Sequence, residues 1–174
     1  MKYLVKFFVV TLFLILSTHT FAEQKLVVLD MTYVLNNSKA GKEAQELLKK
    51  KFNDNAKKFS DLEKALKKEE TDLLEKRSIL DKEEYTKRIN LLRKKVIDYQ
   101  SQRRLSLDAL AKKRATARKM LIEKINPIID SYINKNSISI VIDKKHMIGG
   151  LTEFDITNTI VEKLNKEFPS LNLQ

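Results

Sequence analysis

Three carboxylates and one imidazole are the groups with which this chain could attempt catalysis or metal binding. Asp30, Asp143 and Asp155 each stand beside an apolar run, and His146 follows shortly after Asp143. Paired carboxylates move protons at a bound substrate, and an imidazole with further ligands at the right spacing holds zinc. Neither pattern is complete here. Strand ends and helix caps explain each aspartate more simply, and no second ligand type stands at metal spacing from His146. Cys is absent, which removes cysteine nucleophiles, zinc–thiolate sites and disulfides. Gly41, Gly149 and Gly150 are the only glycines, so no phosphate-cradling loop or dinucleotide fingerprint can be written. No enzyme and no cofactor is expected.

The chemistry that the composition does favour is that of a cation. The 174 residues carry 34 Lys and Arg against 23 Asp and Glu, a net charge of +11. That excess is unevenly placed. Residues 42–81 hold 11 basic and 10 acidic side chains, whereas residues 82–124 hold 14 basic and 5 acidic, a net of +9. Candidate binding residues in the second stretch are Lys87, Arg88, Arg93, Lys94, Lys95, Arg103, Arg104, Lys112, Lys113, Arg114, Arg118 and Lys119. Each alone reads as a solvated face; together they set up a positive field that attracts acidic unfolded chains or anionic lipid. Their aliphatic stems, with Tyr99, Leu105 and Leu107, offer apolar contact beside the charge. Nucleic acid is a competing polyanion, but no recognition module accompanies the charge, so no physiological nucleic-acid partner is expected.

The elements that position these residues follow from punctuation and period. Residues 42–126 contain no Gly and no Pro, a helix signal of unusual length. Phe52, Phe59, Leu66, Leu73 and Leu80 recur every seven residues, and Tyr85, Ile89, Leu92, Val96 and Tyr99 alternate by four and three. Such spacing suits coiled-coil packing. Asp81 followed by Glu84 reads as a helix start, with the acidic N3 residue reaching back, and the seam changes phase there. Two antiparallel helices, about 38–78 and 81–133 with a tip near 78–84, are therefore favoured over one long rod. Asn55, Glu69, Lys76 and Arg103 interrupt the seams, so the arm should be only thinly packed.

At the start, Lys2 and Lys6 precede an apolar run through Leu16, and Thr20 and Ala22 approximate a small-x-small cleavage pattern. The run spans only about half a bilayer core. Residues 1–22 read as an export signal cut between Ala22 and Glu23, with an uncleaved anchor as the alternative; the periplasm is the natural destination. The mature chain then has no transmembrane span.

A small body is split around the arm, in residues 23–41 and 134–174, with the arm as residues 42–133. Leu26, Val27, Val28 and Leu29 form a first strand; Ile138, Ile140 and Ile142 share one face of a second; Met147-Ile148 reads as a third. Asp155 or Thr157 caps a last helix carrying Ile156, Ile160 and Leu164. The fold class is α+β, mostly α: a long helical hairpin inserted into a β-rich oligomerisation body. So few strands make a poor core for a monomer and leave edges that invite pairing with further copies. Physics alone leaves the number of copies open.

At its two ends the chain resembles the Skp/OmpH-like periplasmic chaperones. The stretches that carry the resemblance are Lys25 to Met31 with Val34 and Leu35, Ser38-Lys39-Ala40-Gly41-Lys42, Ile140-Val141-Ile142-Asp143, and Asp155-Ile156-Thr157 with Ile160, Leu164 and Asn165. The resemblance implies a homotrimer in which a β-rich body carries three helical tentacles around a cavity. It implies a holdase that keeps unfolded outer-membrane proteins soluble during transit, without ATP. Lipopolysaccharide is a further partner of the family, but the Lys/Arg runs of the second arm helix prevent a residue-by-residue transfer of that site. A structural coiled-coil adaptor of the envelope, holding no clients, is the rival reading.

Overall fold

The computed structural model describes residues 24–171. The export signal expected over residues 1–22, with its Ala22/Glu23 junction, lies outside the described residues. The elements in order are β1 (Lys25–Leu29), α1 (Met31–Asn37), α2 (Lys39–Glu75), α3 (Lys82–Lys135), β2 (Ile138–Asp143) and α4 (Thr157–Glu167). Short 3-10 turns occupy Lys76–Ser78, Lys144–His146 and Thr152–Phe154.

Helices α2 and α3 are the antiparallel hairpin that the unpunctuated stretch predicts. Ser38 starts α2: its hydroxyl accepts the Gly41 amide at 3.1 Å, in a fully buried position. Gly41 is required there by close approach, because a Cβ would land on the carbonyl oxygen of Leu35 at the end of α1. From this start α2 runs 37 residues, about 55 Å of helix. It ends in a tight turn in which the Ile79 and Leu80 amides both donate to the Lys76 carbonyl, at 3.1 and 3.0 Å. Asp81 then caps α3 by accepting the Glu84 amide at 2.8 Å. Glu84 does not reach back as expected; its carboxylate binds Arg88 one turn on at 2.7 Å, an i,i+4 pairing that competes with the capping box. Helix α3 continues for 54 residues and passes through Pro127.

The two strands form a parallel sheet whose crossover is α1 and the whole hairpin. The register slips between Lys25, which faces Ile138, and Leu26, which faces Ile140. This bulge at Ser139 overturns the simple alternation expected for β2: Ile138 is buried, Ile140 is half exposed, and Val141 packs against the core instead. On its other side β1 meets the chain again, where the Ile156 amide donates to the Val28 carbonyl at 2.9 Å. Ser137, with φ of 52°, makes the left-handed turn between α3 and β2.

Met147-Ile148 is not a third strand, and the sheet among the described residues has two. Asp143 explains the correction. Its carboxylate accepts the Lys145 amide at 3.1 Å and closes a 3-10 turn, and the Met147 amide donates to Lys144 inside that turn rather than to a neighbouring strand. Neither Asp155 nor Thr157 caps α4 either: the N-cap position is Ile156, without a side-chain bond. Asp155 accepts the Thr157 amide at 2.9 Å just before the helix, and the Thr157 hydroxyl accepts the Asp30 amide at 2.8 Å, tying α4 to the end of β1.

One apolar cluster holds these pieces together at the root of the hairpin. Val34, Ile125, Ile160 and Leu164 are fully buried in it, with Val27, Leu29, Leu121 and Ile138 around them. Lys39 donates its amide to Asn165 at 2.6 Å, and Leu171 folds back on the start of α2. No helix among the described residues is long and apolar enough to cross a membrane.

Candidate functional site

The three aspartates are structural. Asp30 caps α1 by accepting the Tyr33 amide at 2.7 Å. Hydrogen bonds from the Lys145 amide and ammonium hold the Asp143 carboxyl below the usual carboxylate range. Burial pushes Asp155 upward, but the Lys144 ammonium at 2.7 Å and bonds from Thr157 outweigh it, so its pKa also falls. Among the described residues no group of His, Cys, Asp and Glu has the arrangement of a metal site.

The arm is the remaining surface with chemistry, and its seam is thin. Beyond the root cluster the buried seam side chains among the described residues are Leu48, next to the root, and then Phe59 and Leu73, at 6% and 7% exposure. Phe59 meets Tyr99 edge-on across the pair, with ring centroids 6.0 Å apart. Polar side chains at the interrupted seam positions cannot replace that packing. Glu69 instead binds Lys95 of α3 at 2.6 Å, and Tyr99 donates to Glu63 at 3.3 Å.

All twelve cationic candidates are exposed, but they do not converge on one point. They wind around α3. Arg93, Arg103, Arg114 and Arg118 line clefts between the two helices, together with Tyr99 and Leu107. Lys87 and Lys94 flank Leu91 in a shallow dent on the outside of α3. Arg88 and Lys95 are held in ion pairs with Glu84 and Glu69, and Lys119 lies 3.8 Å from Glu123. Arg104 and Lys112, like Leu105, lie outside the clefts. Lys113 sits beside Lys51 of α2, and repulsion between the two ammonium groups lowers the Lys51 pKa.

The ten body residues divide into two sets. Val27, Leu29, Ile138, Ile156, Ile160 and Leu164 are spent inside the chain's own core, and Val28 is buried as well. Leu26 and its strand partner Ile140 remain 42% and 50% exposed, with Ile142 half-buried on the same face. Ile148, Leu151 and Phe154 add further exposed apolar area nearby in the chain. Sequence reasoning placed Ile148 in a strand and missed Leu151 and Phe154, which follow the turn without helical or strand period.

Comparison with known proteins places this architecture. A family described as "Outer membrane protein (OmpH-like)" matches residues 25–164. A crystal structure of an OmpH-like outer membrane chaperone candidate from Caulobacter crescentus CB15 superposes with a TM-score of 0.80. It is 18% identical, and the match covers 90% of this chain and 92% of that one. A comparison with curated proteins gives no match. With a split body, a hairpin inserted between its halves and a family match over nearly all the described residues, the chain belongs to the OmpH-like outer membrane protein family.

Proposed function

We propose that this protein is an ATP-independent periplasmic holdase, which binds unfolded outer-membrane β-barrel proteins between cationic arms and prevents their aggregation. The observation that carries this is the arm itself: a long hairpin with +9 on one helix segment and unpartnered apolar side chains such as Leu74 and Ile97. Charge on this scale speeds encounter with acidic chains, and scattered apolar contacts retain them without imposing a fold. Neither step needs a nucleotide or a cofactor.

The working unit in this proposal is a homotrimer. The exposed face of Leu26 and Ile140 and the open outer edge of β2 supply a surface on which copies join, and three arms then surround a shared space. The twelve basic residues act there collectively, and anionic lipid or lipopolysaccharide competes for the same charge. The domain division proposed with this function is residues 23–41 and 134–174 for the joining body and 42–133 for the arm.

Aggregation assays test the function. At matched concentration the mature protein should suppress aggregation of several unrelated urea-unfolded barrel proteins, with a capture rate that falls as salt rises. Native mass spectrometry should show three copies with one client. A monomer at micromolar concentration that protects no barrel protein would leave the adaptor reading in possession.

A further inference from the structure

Three clefts on the arm share their ends. A root cleft of about 690 Å³ and a middle cleft of about 190 Å³ have Phe52 in common. The middle cleft and a distal one of about 700 Å³ share Glu63 and Tyr99. On α3 the linings run from Tyr85 to Leu121, and those beside the seam, Arg93, Ile97, Gln100, Leu107, Arg114 and Arg118, step by threes, fours and sevens, so they belong to one flank of the hairpin. The run along α3 is about 54 Å, room for roughly 16 residues of extended chain.

We propose that this flank is a single groove on each arm, and that its occupant is an extended segment of an unfolded barrel protein with alternating apolar and acidic side chains. The inference rests on the holdase reading and says where on the arm the client lies.

The chemistry of the groove fits that occupant. Its floor is apolar, with Leu48, Phe52, Phe59, Leu66, Leu92 and Leu110, and small side chains at Ala56, Ser60 and Ser106 leave the middle open. The linings contain seven basic and three acidic residues, a net of +4. One of the acids, Glu63, is already met by Lys67 at 3.0 Å, which holds its carboxyl below the usual range. Membrane strands of barrel proteins alternate apolar and polar residues. An extended chain in the groove therefore turns its apolar side chains to the floor, and its acidic ones reach Arg93, Arg114 and Arg118 at the rim. Other contacts across the hairpin differ in kind: Lys51 beside Lys113 and the Lys95–Glu69 pair lie outside all three clefts.

A matched pair of substitutions on α3 tests this. Ile97 lies in the groove and is 65% exposed; Leu91 lies outside it and is 52% exposed. Neither Ile97→Ser nor Leu91→Ser removes a buried side chain, and circular dichroism checks that helix content is kept. The probes are a fluorescent 16-residue peptide copied from an alternating membrane strand with two aspartates, and a full-length urea-unfolded barrel protein. Ile97→Ser should weaken both by about tenfold, the value of one apolar side chain lost from a contact, while Leu91→Ser changes either by less than about twofold. Equal losses, or a loss confined to Leu91→Ser, overturn the groove. A photocrosslinker at Ile97 should capture the barrel protein; capture of another arm without client would make a second copy the occupant and also overturn it. If the parent protein protects no barrel protein, the holdase reading fails; if it protects them and both variants behave like the parent, the groove alone fails.

Discussion

The same two helices behave as different materials at their two ends. At the root, α2 and α3 are gripped by α1, α4 and the sheet, and Ile125, Val34, Ile160 and Leu164 lose all contact with water. Farther out the helices have only each other: Phe59 and Leu73 are buried, and at the tip Ile79 is 81% exposed. Both segments are equally helical, so the difference does not lie in backbone preference. It lies in how many neighbours each apolar stripe finds. A stripe with partners on three sides makes a core, whereas one with a single partner leaves apolar surface free to bind something else.

The largest break in this contrast should come from the root. Ile125→Ala should cost about 3 kcal/mol in guanidinium unfolding, through lost burial and an uncollapsed cavity. Leu92→Ala on the arm should cost less than half of that, because water already reaches its site; equal losses would erase the distinction. Next in size is Gly41→Ala. Helix propensity alone predicts a gain of about 1 kcal/mol, but the clash with the Leu35 carbonyl should turn it into a loss of about 2 kcal/mol. A stabilised variant would show that α1 and α2 are not locked together.

Acid provides a gentler probe of the root. The Asp155 carboxyl has a folded pKa below its unfolded value, so its pairing with Lys144 stabilises the fold above about pH 4 and is lost as pH falls through the folded value. Asp155→Asn should flatten the acid limb of a stability–pH curve and leave arm helicity, followed by circular dichroism, unaltered. The smallest effect belongs to the arm surface. Lys95→Ala removes an exposed ion pair with Glu69 and should change stability by less than about 0.5 kcal/mol. A larger loss would mean that the arm is held by charge rather than by its thin seam.

The hairpin was legible because its signals are local. Absent Gly and Pro mark the helices, Asp81 marks the restart, and the heptad picks out Phe59 and Leu73, the two side chains buried in the outer part of the arm. The body was less legible where one residue changes the rule. Ser139 bulges and exchanges the faces of β2, although Ile-Ser-Ile-Val-Ile reads as uniform alternation. Asp143 folds its own chain into a turn where a strand was expected. The clefts could not be read at all. Each helix shows its own stripe, but whether Ala56 and Ser60 come to face Ser106 depends on the offset at which two antiparallel helices meet, and that offset is set at the tip and root together.

The parallel pairing of β1 with β2 also dictates an order of assembly. These strands are neighbours in space, yet the entire hairpin separates them along the chain. Closing so long a loop from a random coil is entropically expensive and slow. A hairpin that zips up from its turn removes the difficulty, because it delivers both ends to the same place. A growing chain therefore completes its tentacle before it has a body, and a product truncated ahead of Ile138 would present a finished arm with nothing to anchor it.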